Sequence, residues 1–147
     1  MVTISKGLTP AICGGRISRL RPTLRLIRIP NEFAICKLDP EHPIPAWAVR
    51  GPVWSVTRTM TELSIVCGSS VVPEGVVAST GWRAVQLDGP LAFDMIGVIS
   101  SLTVALAKAD IPVFVLSTFD TDLLLVRSEL FERACLVLSV QGHTIDS

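Results

Sequence analysis

The chain has 147 residues, enough for one ordinary domain or two small ones sharing a core. With 49% hydrophobic and 18% charged residues it is globular rather than disordered, and its longest uncharged stretch, the 13 residues Met95 to Ala107, falls short of the roughly 18 to 20 that a membrane span needs. Its zero net charge conceals a basic arm, with six Lys or Arg and no acid before Glu32, on a body of seven bases and thirteen acids, a balance that argues against nucleic-acid binding.

Residues 1 to 22 show no sustained period and no signal-peptide core, and are read as a flexible basic extension. LRLIRI (24–29) alternates as a strand, Pro30-Asn31 is expected to turn the chain, and FAICKL (33–38) reads as a second strand. The prolines of residues 39 to 52 leave room for one helical turn around Ala46 to Val49. VWSVTRT (53–59) and ELSIVCG (62–68) form a hairpin pattern about Met60-Thr61, and SSVVPEGV (69–76) is a loop. WRAVQLD (82–88) is a strand closed by Gly89-Pro90.

From Met95, apolar residues at Val98, Ile99, Leu102, Ala105, Leu106 and Ala109 share one helical stripe. PVFVLST (112–118) and DLLLVR (122–127) are strands separated by a polar turn. Ser128 is the expected N-cap of a second helix, with Glu129 and Glu132 in its first turn and Leu130, Ala134, Val137 and Gln141 on one face; Gly142 ends it and HTI (143–145) is a last strand. The order β-α-β-β-α-β predicts an α+β, ferredoxin-like fold with two helices on one face of an antiparallel sheet.

The four cysteines, Cys13, Cys36, Cys67 and Cys135, lack zinc-site spacing and read as reduced core residues. Trp47, Trp54 and Trp82 read as core or interface side chains. Arg58 and Arg83 are expected to pair with Glu62 or Asp88. No nucleophile motif, Walker loop or dinucleotide glycine pattern is present, so the chain is read as no enzyme, with no cofactor and no metal.

That element order, with a glycine at the first strand-to-helix junction, resembles the ACT domain. The stretches VWSVTRTMTELSIVC, VPEG, GWRAVQLDGPLAF, IGVISSLTVALAKADIPVFVLSTFDTDLLLV and a final GH look like the ACT subfamily shared by the CASTOR arginine sensors and small bacterial proteins. The resemblance covers about residues 24 to 146. It implies two ferredoxin-like ACT modules, a degenerate one over 23–76 and a βαββαβ one over 77–147, and a homodimer with an isologous contact between C-terminal modules; the reduced cysteines place it in the cytoplasm.

The resemblance also implies a ligand between modules, contacted by Gly97 and the loop Phe93, Asp94, Met95 and Ile96, and by the hairpin residues Thr118, Phe119, Asp120 and Asp122. Unpaired amides at the helix start beside Gly97 suit a carboxylate. Asp122, with Asp120 or Asp94, suits an ammonium. Because Met95 stands where the sensors carry an acid, the expected ligand is a small uncharged amino acid or related metabolite rather than arginine. Three readings stay open. One is a sensor whose ligand shifts the dimer between arrangements, another is a constitutive interaction protein with a regulated protein partner, and the last is a regulatory subunit acting in trans on an enzyme.

Overall fold

The computed structural model describes residues 23–92 and 94–146. The extension expected over 1–22, with Cys13, lies outside the described residues, as does Phe93. Strand β1 (Arg25–Leu38) is a single 14-residue strand, not the two strands and turn expected around Pro30-Asn31. The proline falls where the register against the neighbouring strand shifts, between Ile29 and Glu32, so no ladder bond needs its missing N–H. A bulged strand can therefore carry a sequence that reads locally as a turn.

The hairpin of β2 (Ser55–Arg58) and β3 (Leu63–Gly68) is closed by the Thr59 N–H donating to Glu62 O at 2.9 Å. The Thr59 hydroxyl accepts the Thr61 and Glu62 N–H groups, each at 3.2 Å. Next come β4 (Ala78–Leu87), α1 (Val98–Ala107), β5 (Val113–Ser117), β6 (Asp122–Arg127), α2 (Phe131–Val140) and β7 (Thr144–Asp146). The strands form one sheet in the order β2-β3-β1-β4-β6-β5. Pairing along that order is antiparallel, and β7 lies parallel beside the first residues of β1. β1 thus stands between β4 and β7, while its later residues pair with β3.

Alternation along the strands divides the core. Val85, Leu87, Leu124 and Val126 face the helices and pack on Leu102, Leu106, Phe131 and Leu138. Ala84, Leu123 and Leu125 point the other way and meet Phe33 and Val66. Cys36 and Cys67 join Ala34, Leu63 and Ile65 in a third cluster. The cysteines Cys36, Cys67 and Cys135 are buried and reduced, as expected. Burial, with a smaller contribution from neighbouring Cys67, pushes the Cys36 thiol up to about 12, so it stays neutral.

The second helix departs from its expected start. Ser128 caps nothing; its hydroxyl lies 3.2 Å from Glu32 Oε1, and a 3₁₀ turn over Ser128–Leu130 leads into Phe131. The buried face is Phe131, Ala134, Cys135 and Leu138, while Leu130 and Val137 pack at its margin and Gln141 is exposed. Phe131 decides that rotation: it is 1% exposed, with the Arg83 guanidinium 3.8 Å from its ring centroid.

The arginine pairings also differ from expectation. Arg83 binds Glu132 at 3.0 Å and Arg58 donates to His42 O at 2.9 Å, whereas Glu62 lies near Lys37 and Asp88 near Arg25. Arg28 reaches both oxygens of Glu132 at 2.9 Å. Hydrogen bonds from Arg28 and then Arg83 hold the Glu132 carboxyl below its ordinary 4.5. A depressed folded-state value stabilises fully above the ordinary value and is lost as pH falls through the lower one. Glu132→Gln should therefore lower the melting temperature slightly at neutral pH, by an amount that shrinks in acid. Thermal melts of both proteins across pH check this; a difference that grows in acid would contradict it.

Candidate functional site

The polar turn between β5 and β6 begins where Ser117 pairs with Asp122. Inside it, the Thr118 N–H donates to Thr121 O at 2.8 Å. The Thr118 hydroxyl donates to the same carbonyl at 2.9 Å and accepts the Thr121 N–H at 3.2 Å. The Thr121 hydroxyl donates to Leu87 O, and Asp120 O accepts the Leu91 N–H at 2.7 Å. Both threonines are thus spent on holding the turn against the chain that leaves β4.

Gly89 permits that contact, because a Cβ on it would stand 2.8 Å from Asp120 O. The sequence shows Gly89 only as a strand ending; its close approach to a turn some thirty residues on has no local signal. The turn leaves the Asp120 and Asp122 carboxylates with no hydrogen bond or ion pair from the described residues.

Across from the turn, α1 starts at Val98 rather than at Met95, because Gly97 takes a left-handed φ of 85°. A Cβ at Gly97 would touch only Ser100 Oγ, at 3.6 Å, so conformation rather than space requires glycine. The first intrahelical bond runs from the Ser101 N–H to Gly97 O, which leaves the amides of Val98, Ile99 and Ser100 without helical acceptors. No side chain caps this end and no acid lies in its first turn. Gly97→Ala should cost about 1–2 kcal/mol of stability through forced left-handed backbone. A melting temperature unchanged from wild type would contradict that.

These two features line one cavity of about 380 Å³. Gly97, Met95, Thr118, Phe119, Asp120 and Asp122, all expected as ligand contacts, belong to its lining. Asp94 and Ile96 are exposed on the same loop and outside the lining. Leu91, Ala92, Ser100 and Thr121 join the lining without having been expected there. Among the described residues the lining carries two acids and no base. Bare amides at a helix start favour an anion, and unpaired carboxylates favour a cation, so the two walls have opposite electrostatic preferences.

Among the described residues no group of three or more His, Cys, Asp or Glu is arranged to hold a metal, and no helix is long and apolar enough to cross a membrane.

The sequence family described as the ACT domain matches residues 77–142, and an N-terminal domain family matches residues 31–75. No curated protein matches the chain in sequence. Among solved structures, the X-ray crystal structure of a protein from Agobacterium tumefaciens is 39% identical with a TM-score of 0.81, over 85% of this chain and 93% of that one. A protein of unknown function from Vibrio cholerae is 15% identical at TM-score 0.68, over 80% of this chain and 89% of that one. The ligand-free regulatory subunit of aspartate kinase from Thermus thermophilus shares the fold at 11% identity and TM-score 0.57, over 78% of this chain and 95% of that one. Residues 77–142, which carry β4 to α2 of the βαββαβ order that β7 completes and the left-handed glycine ahead of α1, thus match the ACT-domain family.

Proposed function

We propose that this chain is a non-catalytic, cytoplasmic regulatory sensor of the CASTOR-type ACT subfamily, which binds a small amino acid with an uncharged side chain. ACT domains typically are regulatory domains that bind small molecules such as amino acids. One observation carries the reading: the uncapped start of α1 and the unpaired Asp120 and Asp122 line the same cavity. A ligand carboxylate sits on the Val98 to Ser100 amides, its ammonium is held by Asp122 with Asp120 nearby, and its side chain runs toward Met95 and Phe119.

The ligand lies at an interface between ACT modules of a homodimer. Support comes from the rim of the cavity, where Ile96 is 91% and Phe119 77% exposed, an apolar edge that a second module would cover. In each chain we take residues 77–147 as the ligand-binding module and 23–76 as a degenerate one whose β1 joins β7 to the sheet of the first. The thermophilic protein of the same fold is a regulatory subunit of aspartate kinase, which supports a regulatory role; here the ligand acts by favouring one arrangement of the dimer over another.

A different surface favours the alternative, constitutive docking of a protein partner without a ligand. Val104 is 45%, Leu136 64% and Val140 74% exposed along a groove between the helices. Calorimetry against the twenty amino acids separates the readings. The sensor gives saturable heat with at least one small neutral amino acid, and the dimer responds to it. No heat and no rise in melting temperature with any of them would leave the docking protein. Preference for arginine would overturn the assignment of an uncharged side chain.

A further inference from the structure

A second cavity, also of about 380 Å³, opens on the sheet face away from the helices. Its floor is Gln86 of β4, Leu116 of β5 and Leu123 of β6, which alternate with the helix-facing Val85, Val115 and Leu124. Its wall is the segment Pro52 to Ser55 that leads into β2. Ser117, Thr118 and Thr121 line both cavities, so the two lie on either side of one turn.

Three features of this cavity point to a ligand. Trp54 on its wall is 47% exposed, whereas Trp47 packs on the β1–β3 cluster and Trp82 lies under Arg127, 5.1 Å from its ring centroid. The Trp54 indole N–H and the part-buried Gln86 side-chain amide take no hydrogen bond from the described residues. Both groups are open to solvent, so a ligand can bond them without first breaking a hydrogen bond within the protein. Among the described residues no charged side chain lines the cavity, in contrast to the two carboxylates of the first.

We infer that this cavity is a second ligand site, for an uncharged heteroaromatic ring. Its face stacks on Trp54, and its donor and acceptor edge meets the Gln86 amide, which offers both functions. The apolar floor of Leu116 and Leu123 supports the ring's other face. An ion entering here would lose hydration with no counter-charge to replace it, which separates this ligand from the amino acid of the first cavity.

The test is a titration of isotope-labelled protein with adenine, nicotinamide and indole, followed by NMR at the Trp54 indole N–H and the Gln86 side-chain amide. At least one probe should move both signals saturably. Trp54→Ala should weaken that probe about fivefold or more, as loss of aromatic stacking does elsewhere. Gln86→Leu, which keeps the volume, should weaken adenine and nicotinamide more than indole. The inference is overturned if no probe moves the two signals, if affinity survives both substitutions, or if the signals shift with protein concentration alone because a second copy covers Trp54.

Discussion

Asp122→Asn should weaken amino-acid binding by about 1.5–3 kcal/mol, roughly 10- to 150-fold, while leaving the melting temperature nearly unchanged. The substitution keeps the shape of the side chain and removes its charge. Folding is spared because the carboxylate has no partner to lose among the described residues, and the turn is held instead by Thr118, Thr121 and the backbone of Asp120. Asp120→Asn should have a smaller effect, since Asp120 is exposed and Asp122 part-buried, and charges in water interact less strongly. Calorimetry and thermal melts on both variants decide the matter. An Asp122→Asn protein that unfolds but binds normally would make the turn purely structural.

Phe131→Ala should have the opposite signature, a loss of about 3–5 kcal/mol of stability with ligand affinity of the folded protein intact. The ring is 1% exposed in the core between the helices and the sheet, and it carries two guanidinium groups, Arg83 at 3.8 Å and Arg28 at 5.5 Å from its centroid. Glu132 bonds both arginines, so the truncation also loosens the ties from α2 to β1 and β4. Ordinary domains have about 5–15 kcal/mol in all, so the loss is a large share. Phe131 follows the end of β6 remote from Asp122, which is why binding should survive. Denaturant melts measure the first part, and a loss under about 1 kcal/mol would show that the helix is anchored elsewhere.

The second half of the fold was legible because its signals are local. DLLLVR is observed as β6 with the expected bounds, and the stripe through Val98, Leu102, Ala105 and Leu106 is buried as its spacing implies. The misreadings share a tertiary cause. Pro30 carries a strong turn signal, yet pairing of β1 with strands on both sides carries the chain through it as a bulge. Ser128 has cap chemistry, but Glu32 from β1 takes up its hydroxyl. Leu130, Ala134 and Val137 form a plausible stripe on α2 one residue away from Phe131, so spacing alone favours the wrong face.

Periodicity could not bring Gly97 and Asp122 together; the family resemblance did. The contact of Gly89 with Asp120 and the cavity joining Trp54 to Gln86 were invisible, because each depends on segments far apart in the chain meeting on a folded sheet.

The most direct test is a crystal structure grown with the amino acid that gives the largest calorimetric heat. The account predicts density between α1 and the β5–β6 turn, with a carboxylate on the amides of Val98 to Ser100 and an amine within hydrogen-bonding distance of Asp122. An amino acid bound elsewhere, with the protein's own side chains filling this cavity, would contradict it.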